Sequence, residues 1–378
     1  MFSKKSKKIK SISQRKRMTA AAVGGVPDRV PATVLFLGIK ASMNAMDAHF
    51  PEAHYDADKM AKLGSALNEL AGVEAAVIPF CLTVLSEIFG CKINFGTDEI
   101  TPSIKEHLPS VDGLKVPDNL LECGRIPVVR DAIKIIRSDI GDQIPISVPI
   151  EGPFTLAGSL IGVEKLMGWC VSDPEKVKEL TDIAAEAIIK YANYTLKAGA
   201  DIICIADPTP SFDLISPAYF KEFAKPPLKK VTANISGVTV LHICGNNELI
   251  LADMAECGFH GLSIDENIDI EKARKLVGED IAIVGNVSPK QTLAFGTPDQ
   301  VKEESMKALK AGVDILAPGC GLSPLTPLDN LKAMVQAAEE WNQPRRKMVT
   351  GGRVLTPETA KELGYGIGEA LVKLLPDK

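Results

Sequence analysis

The feature that most constrains the fold is an alternation of short apolar runs with helical stretches along most of the chain. The apolar runs are continuous rather than alternating, a pattern typical of parallel strands that are covered on both faces. Eight runs are predicted as strands: residues 33–37, 74–79, 144–150, 200–205, 238–243, 261–264, 281–284 and 313–317. Eight strand-then-helix units predict an α/β fold, a (β/α)8 TIM barrel with its active site at the carboxyl ends of the strands.

Helical stretches separate the predicted strands. Residues 174–198 and 298–311 are amphipathic, and both follow a capping residue and begin with proline and an acidic residue, as helices commonly do. An N-terminal helical segment is predicted at residues 13–23, where glycine and proline end it. A long connection at residues 38–70 follows the first strand, and we expect it to act as a lid or binding loop over the catalytic face.

The two ends of the chain differ from its middle. Eight of the first 17 residues are Lys or Arg, and no apolar stretch accompanies them. The last 36 or so residues carry a basic cluster, two adjacent glycines and one helical stretch. The predicted organisation is a basic disordered tail at residues 1–12, a barrel domain at residues 13–342, and a C-terminal extension with one helix at residues 343–378.

Composition and charge argue against several classes of function. Apolar residues make up 46% of the 378 residues and charged residues 24%, as in ordinary globular proteins. The net charge of −5 argues against nucleic acid as the main partner. No apolar stretch approaches the roughly 20 residues that a membrane span requires. Eight scattered cysteines without a signal peptide indicate a reducing, cytoplasmic location.

A candidate metal site lies at the ends of two predicted strands. His242 and Cys244 close the apolar run at residues 238–243, and residues two apart on a strand point to the same side. Cys320 follows the run at residues 313–317, so it too lies just past a strand end. One histidine and two cysteines form a zinc-type ligand set that leaves a tetrahedral ion one open position. The pattern therefore predicts a catalytic zinc site.

Other interpretations of these residues remain open. His242 could be a core histidine whose hydrogen bonds are satisfied, and the cysteines could be inert buried thiols. If a metal is bound, a substrate thiol in the fourth position would be activated as a nucleophile for alkyl transfer. A water in that position would instead make the site a hydrolase, with Glu266 or Asp207 as the base.

More polar side chains follow other predicted strands and belong to the expected active-site face. Glu151, Asp207 and Asn286 are candidates for substrate binding, although Asp207 precedes a proline and could simply form a turn. The remaining cysteines are expected to be buried small hydrophobes: Cys81, Cys91, Cys123, Cys170, Cys204 and Cys257.

Several short motifs resemble those of the uroporphyrinogen decarboxylase superfamily, and in particular its zinc-dependent methylcobamide:coenzyme M methyltransferases. The motifs are FPEAH at residues 50–54, PFCLT at 79–83, GPFTLAG at 152–158, AGAD at 198–201, ADP at 206–208, LHICGN at 241–246 and APGC at 317–320. The resemblance covers about residues 13–341. The glycine and proline motifs belong to the whole superfamily, whereas the His-x-Cys and distant Cys belong to the thiol-alkylating branch.

The resemblance implies a uroporphyrinogen decarboxylase-like barrel, Zn²⁺, a small thiol acceptor such as coenzyme M, and a methylated corrinoid supplied by a separate corrinoid protein. By that analogy His242, Cys244 and Cys320 bind zinc, and Glu266 or Asp265 fills the fourth position before the thiol arrives. Residues 42–49 and the extension beyond residue 341 depart from the family pattern. The first departure leaves the acceptor and the partner open.

Three functions are therefore weighed. The first is zinc-dependent methyl transfer from a corrinoid to a thiol. The second is a related enzyme, either a corrinoid-linked methyltransferase with another donor or acceptor, or a porphyrinogen decarboxylase, which needs cationic groups and no metal. The third is a zinc-stabilised docking module without activity, although a structural zinc normally has four protein ligands.

Overall fold

The computed structural model describes residues 12–35 and 38–341. Seven parallel strands form one sheet in the order β1-β4-β5-β6-β7-β8-β9, and β2 and β3 form a separate antiparallel hairpin. The strands are β1 (Ala76–Val77), β2 (Lys92–Asn94), β3 (Ser103–Glu106), β4 (Ile146–Glu151), β5 (Ile202–Ala206), β6 (Val238–His242), β7 (Gly261–Ser263), β8 (Ala282–Val287) and β9 (Ile315–Pro318). The five strands β4 to β8 are almost entirely buried, which explains their continuous apolar sequences.

The eighth position of the barrel is occupied by a single bridge rather than a strand. Ala32 pairs with Leu316 of β9 in parallel, and the Glu74 amide, just before β1, donates to the Ala32 carbonyl. These contacts join the two edges of the sheet and close it. The predicted strand at residues 33–37 is therefore wrong in extent, because pairing is confined to the residues around Ala32; residues 36–37 lie outside the described part. The predicted barrel class is confirmed.

Helices surround the sheet and follow most of its strands. They are α1 (Gln14–Ala22), α2 (Lys40–Met46), α3 (Ala57–Ala71), α4 (Val84–Ile88), α5 (Ile126–Ile140), α6 (Pro153–Ile161), α7 (Val163–Ser172), α8 (Pro174–Ala198), α9 (Pro217–Tyr219), α10 (Lys225–Ala233), α11 (Leu251–Ala255), α12 (Ile270–Val277), α13 (Pro298–Ala311) and α14 (Leu328–Trp341). Short 3-10 turns lie at Glu52–His54, Leu120–Glu122 and Glu248–Ile250, and π-helical turns at Phe220–Ala224 and Pro289–Ala294. The helices predicted at residues 174–198 and 298–311 agree with α8 and α13.

Helix α1 packs against the interior of the barrel. Ser13 caps it by accepting from the Lys16 amide, and Met18, Ala21 and Ala22 join a buried cluster with residues of β5, β6, β8 and β9. Arg17 pairs with the buried carboxylate of Glu74, which fixes the helix to the entrance of β1. The helix predicted at residues 13–23 is thus present and forms the floor of the barrel.

The long connection after the first predicted strand contains α2, a 3-10 turn and α3 rather than an irregular loop. The predicted basic tail lies outside the described residues, except for residue 12, and so does the predicted C-terminal extension. Within the described residues no single helix is long and apolar enough to cross a membrane. The pair α6 and α7 passes that test of length and composition together, but the two helices are bent by 107°.

Candidate metal centre and its cavity

The structure brings His242, Cys244 and Cys320 together at the carboxyl ends of two strands. One ligand atom from each residue lies within 4.8 Å of the others. His242 is the last residue of β6, Cys244 follows two positions later, and the intervening Ile243 is buried in the core. Cys320 lies two residues beyond the end of β9. One imidazole nitrogen and two sulfur atoms are a donor set that suits Zn²⁺, so these residues fit the metal that the sequence predicts.

The neighbouring strands orient the imidazole of His242. Strand register pairs His242 with Ser263 of β7, and Ser263 Oγ lies 3.1 Å from His242 Nδ1. The Asp207 amide, just beyond β5, donates to the His242 carbonyl at 2.9 Å. With Nδ1 held by a hydroxyl, Nε2 is the ring nitrogen that can serve as a metal ligand. Ser263 was not predicted, because a serine within an apolar run has no distinctive sequence pattern.

The two thiols of the centre are electrostatically unequal. A hydrogen bond from Cys244, aided by His242 and against the opposing effect of burial, lowers the pKa of Cys320. The same hydrogen bond, together with burial, raises the pKa of Cys244. Cys320 is therefore the thiol of the pair that ionises more readily, and Cys244 is the one that holds its proton. A cation bound between the sulfur atoms would displace that proton, which is the ordinary coupling of metal binding to thiol ionisation.

Asp265 and Glu266 follow β7 but have different surroundings. Asp265 accepts hydrogen bonds from the Gly245 amide at 2.8 Å and from the amide and side chain of Asn267. Its carboxylate is therefore committed to holding the loop that carries Cys244. The pKa of Glu266 is raised by burial, with the charges of Asp265 and Cys320 adding to the effect. Glu266 is not among the three described residues whose ligand atoms lie within 4.8 Å of one another, so its role as a fourth ligand stays a prediction.

Gly319 explains how Glu266 comes so close to Cys320. A Cβ atom at Gly319 would lie 2.5 Å from the backbone nitrogen of Glu266 and 2.9 Å from its Oε2. Such contacts are too short for any side chain. Glycine at this position thus lets the loops after β7 and β9 pack directly against each other and brings the carboxylate next to the residue that precedes Cys320.

The three residues predicted to bind substrate lie at different distances from the cavity surface. Glu151, at the end of β4, lines a cavity of about 440 Å³ that the three candidate metal ligands also line. Asp207 is buried beneath it and accepts from the Thr155 amide at the start of α6. Asn286 donates to the carbonyls of Asp265 and Ile268, so it supports the loop after β7. Neither Asp207 nor Asn286 is among the described residues that line this cavity.

Burial dominates the electrostatics of Glu151. It raises the pKa of this carboxyl to about 8, although Ser159 and Ser86 donate hydrogen bonds that oppose the shift. Burial likewise raises the pKa of Asp207 to about 6, against hydrogen bonds from Thr155. At neutral pH the wall of the cavity therefore presents Glu151 mainly as a neutral carboxylic acid.

The connection at residues 38–70, predicted as a lid, contributes Gly38 and Phe50 to the cavity, but the sequence missed a second part of the wall and a charged cluster behind it. Phe50, from the connection before α3, and the segment 101–104 at the start of strand β3 line the cavity together with Phe80 and Cys81 after β1. Behind this wall Arg125 is almost fully buried. Its Nη1 donates to Cys81 Sγ at 3.2 Å. Cys81 is buried, as predicted, but its sulfur faces a buried guanidinium rather than apolar groups alone. The prediction of burial is wrong for Cys123, which is half-exposed.

Comparison with known proteins identifies the family. The sequence model of the uroporphyrinogen decarboxylase family matches residues 13–341. The chain belongs to this family. A solved methyltransferase from Methanosarcina mazei has 45% sequence identity and a TM-score of 0.85, and the match covers 88% of this chain and 99% of that one. The predicted family resemblance and the uroporphyrinogen decarboxylase-like barrel are confirmed.

Curated members of the family that resemble this chain are named as methyltransferases. The methylcobamide:CoM methyltransferase MtaA of Methanosarcina barkeri is 46% identical over 329 residues, which cover 86% of this chain and 97% of that protein. The methylated-thiol–coenzyme M methyltransferase of Methanosarcina mazei is 33% identical over 361 residues, which cover 95% and 96%. These relationships support a methyltransferase rather than a decarboxylase activity for this family member.

Proposed function

We propose that this protein transfers a methyl group from a methylated corrinoid, carried by a partner protein, to the thiol of a small acceptor such as coenzyme M. The single observation that carries the proposal is the convergence of His242, Cys244 and Cys320 on one point of a cavity at the barrel mouth. The names of the related methyltransferases supply the donor and acceptor classes. We place the reaction in the cytoplasm, where thiols stay reduced.

The chain's own residues would hold Zn²⁺ through His242, Cys244 and Cys320. When bound there, Zn²⁺ would lower the pKa of an acceptor thiol in its fourth position and keep it as a thiolate at neutral pH. Ser263 holds the imidazole through Nδ1. Such outer contacts fix the ring orientation and strengthen the ligand.

We propose that Glu266 occupies the fourth position before the acceptor arrives. Its carboxylate lies against Gly319, next to Cys320, whereas Asp265 is engaged by three hydrogen-bond donors. One neutral histidine and two thiolates already balance the charge of Zn²⁺. An incoming thiolate would therefore replace a carboxylate charge for charge, and the proton of the acceptor thiol would leave the site.

The cavity wall suits an alkyl transfer that must avoid water. Phe50 and Phe80 line it on the side of the lid, and their rings exclude water from the reacting carbon. The acceptor sulfur would attack the methyl carbon, forming a carbon–sulfur bond as the carbon–cobalt bond breaks. The electron pair of that bond stays on the corrinoid, which is reduced from methyl-Co(III) to Co(I). We propose Glu151, Asp207 and Asn286 as residues that bind or support the acceptor, with only Glu151 in direct contact.

A porphyrinogen decarboxylase remains the rival within the family. Its substrate carries many carboxylates and calls for cationic side chains. None of the described residues that line the cavity is lysine or arginine. The guanidinium of Arg125, behind the wall, is turned toward Cys81 and other protein groups. This lining favours methyl transfer to a compact thiol.

The proposal is tested by mixing the zinc-loaded protein with methylcobalamin and a series of thiols, and following loss of the methyl-cobalt absorbance. We expect turnover that requires both zinc and thiol. Cys244→Ser and Cys320→Ser should lose zinc and at least 100-fold in rate while circular dichroism shows an intact barrel.

Cys123→Ser is the matched control, because Cys123 lies in the loop before α5 and away from the centre. It should keep zinc and activity. Full zinc occupancy in both ligand variants, or decarboxylation of uroporphyrinogen without demethylation of methylcobalamin, would overturn the proposed function.

A further inference from the structure

A third cysteine, Cys81, faces the cavity from the wall formed after β1. Cys81 lines the cavity together with the three candidate metal ligands, yet it belongs to a different cluster. Its Sγ accepts from Arg125 Nη1 at 3.2 Å and lies 3.2 Å from Thr83 Oγ1. Because Cys81 lines the cavity, a molecule that enters the barrel mouth can approach this thiol.

Several contacts with the protein hold the guanidinium of Arg125 next to the Cys81 sulfur. It donates from Nε to Glu87 at 2.6 Å and from Nη2 to Thr83 at 3.0 Å, and its guanidinium stacks over the Phe95 ring at 4.9 Å. Its Nη1 also lies 3.4 Å from His54 Nδ1. Four of its five N–H groups are thus engaged by the protein. Arg125 is therefore poorly suited to bind a ligand anion, and its role is to hold negative charge on the sulfur.

Five other titratable groups surround the sulfur of Cys81, and they come from several different elements. They are His54 in the first 3-10 turn, Tyr55 after it, Glu87 on α4, Glu151 at the end of β4, and Tyr191 on α8. Burial alone would raise the pKa of Cys81, but the guanidinium of Arg125 and the hydrogen bond from His54 outweigh it and lower the pKa to about 5.

A second observation points to an incoming group at this wall. His54 Nε2 is fully buried and has no hydrogen-bond partner within the described residues. The ring of His54 is flanked by Phe50 at 4.3 Å and Phe80 at 5.9 Å between centroids, and both phenylalanines line the cavity. A cation and an imidazole therefore lie beside a sulfur that lines the cavity, and positively charged neighbours of this kind are typical of reactive cysteines.

We propose that Cys81 is a reactive thiolate that soft alkyl electrophiles entering the cavity modify covalently. In this step the sulfur attacks the electrophilic carbon, a carbon–sulfur bond forms, and the leaving group departs with its electron pair. No proton is transferred, because the sulfur is already ionised. The product is a neutral thioether, so Arg125 loses its anionic partner and the cavity becomes narrower. The site is independent of the proposed function.

The test uses iodoacetamide as the electrophile on the zinc-loaded full chain, with labelled peptides mapped by mass spectrometry over a range of pH. We expect Cys81 to be labelled first, at a rate that changes less than twofold between pH 6.5 and 8.0. An ordinary thiol with a pKa near 8.5 would be labelled about 20-fold faster at the higher pH. Cys123, half-exposed on the surface, is the internal reference, and Cys204, buried on β5, should stay unlabelled.

Two variants separate reactivity from folding. Cys81→Ser should abolish the fast, pH-independent labelling, and Cys91→Ser, which removes a neighbouring buried thiol, should leave it unchanged. If Cys81→Ser does not fold, the pH profile of the unmodified protein still decides. Labelling of Cys81 that rises with pH like that of Cys123, or fast labelling confined to Cys244 and Cys320 with release of zinc, would overturn the proposal. Because zinc content and methyl transfer are measured separately, failure here leaves the proposed function standing.

Discussion

Ser263 Oγ lies 3.1 Å from His242 Nδ1, across the pairing of β6 with β7. This contact joins a strand that carries no metal ligand to one that does. It fixes which nitrogen of the ring faces the sulfur atoms of Cys244 and Cys320. The geometry of the centre is thus determined by the barrel itself rather than by its loops alone.

Removing the Ser263 hydroxyl should weaken zinc binding at the centre without unfolding the protein. We predict that Ser263→Ala lowers zinc affinity 10- to 100-fold, the usual effect of losing such a contact. A competition titration against a chromophoric chelator measures the change. Ser305→Ala, which removes a buried hydroxyl from α13, is the control and should bind zinc like the parent. Equal affinities in both variants would show that Ser263 does not orient the ligand.

Gly319 should be intolerant of any side chain. A methyl group there would lie 2.5 Å from the backbone of Glu266, so Gly319→Ala must displace the loop that carries Cys320. We predict loss of most bound zinc, measured by metal analysis of the purified variant. Gly168→Ala is the matched control, since Gly168 lies within α7 and a Cβ atom there meets nothing within 4 Å. Normal zinc content in Gly319→Ala would contradict the close packing of these loops.

The two carboxylates after β7 should respond differently to neutralisation. We predict that Glu266→Gln keeps zinc but changes the light-atom ligand seen by X-ray absorption in the absence of thiol, while the thiol-bound spectrum matches the parent. Asp265→Asn should instead lower the free energy of unfolding, because Asp265 holds the Gly245 amide. An unchanged thiol-free spectrum for Glu266→Gln would assign the fourth position to Asp265 or to water.

Glu151 should make stability depend on pH. Its pKa is about 8 in the folded protein because of burial, against an ordinary carboxyl value of 4.5. Between these values the folded state binds more protons than the unfolded state, so stability falls as pH rises. The side chain of Glu151→Gln cannot ionise, so this variant lacks that part of the pH dependence. Between pH 5 and pH 8 we predict that the free energy of unfolding falls by about 2–4 kcal/mol less in the variant than in the parent. Denaturant titrations at both pH values measure the free energy of unfolding, with Glu303→Gln, at an exposed position, as the control. An equal fall in stability in Glu151→Gln and the parent would show that Glu151 is not a neutral acid in the folded protein.

The sequence was informative where buried parallel strands make continuous apolar runs. It therefore predicted β4 to β9 and the positions of His242, Cys244 and Cys320 at strand ends. It missed the hairpin of β2 and β3, because those strands are short and mostly exposed and so carry no apolar pattern. It placed the first strand at residues 33–37, where the sequence is apolar, whereas the bridge in the described residues is at Ala32.

Contacts between residues that are distant in the chain could not be predicted from the sequence, for a different reason. Arg125 and Cys81 are separated by 44 residues, and neither position carries a motif for pairing. A cysteine beside apolar residues is usually an inert core thiol, and only the folded chain shows that a buried guanidinium faces it. The same holds for Gly319 and Glu266, whose contact depends on the approach of two loops.

The proposed reaction requires that an acceptor thiol binds as a thiolate at the centre formed by His242, Cys244 and Cys320. Binding a neutral thiol in this form must release a proton. Calorimetry of coenzyme M binding to the zinc-loaded protein, repeated near pH 7 in buffers of different ionisation enthalpy, measures that proton directly. We predict an observed enthalpy that varies with the buffer and corresponds to about one proton released per chain. Binding enthalpies that are the same in every buffer would contradict it.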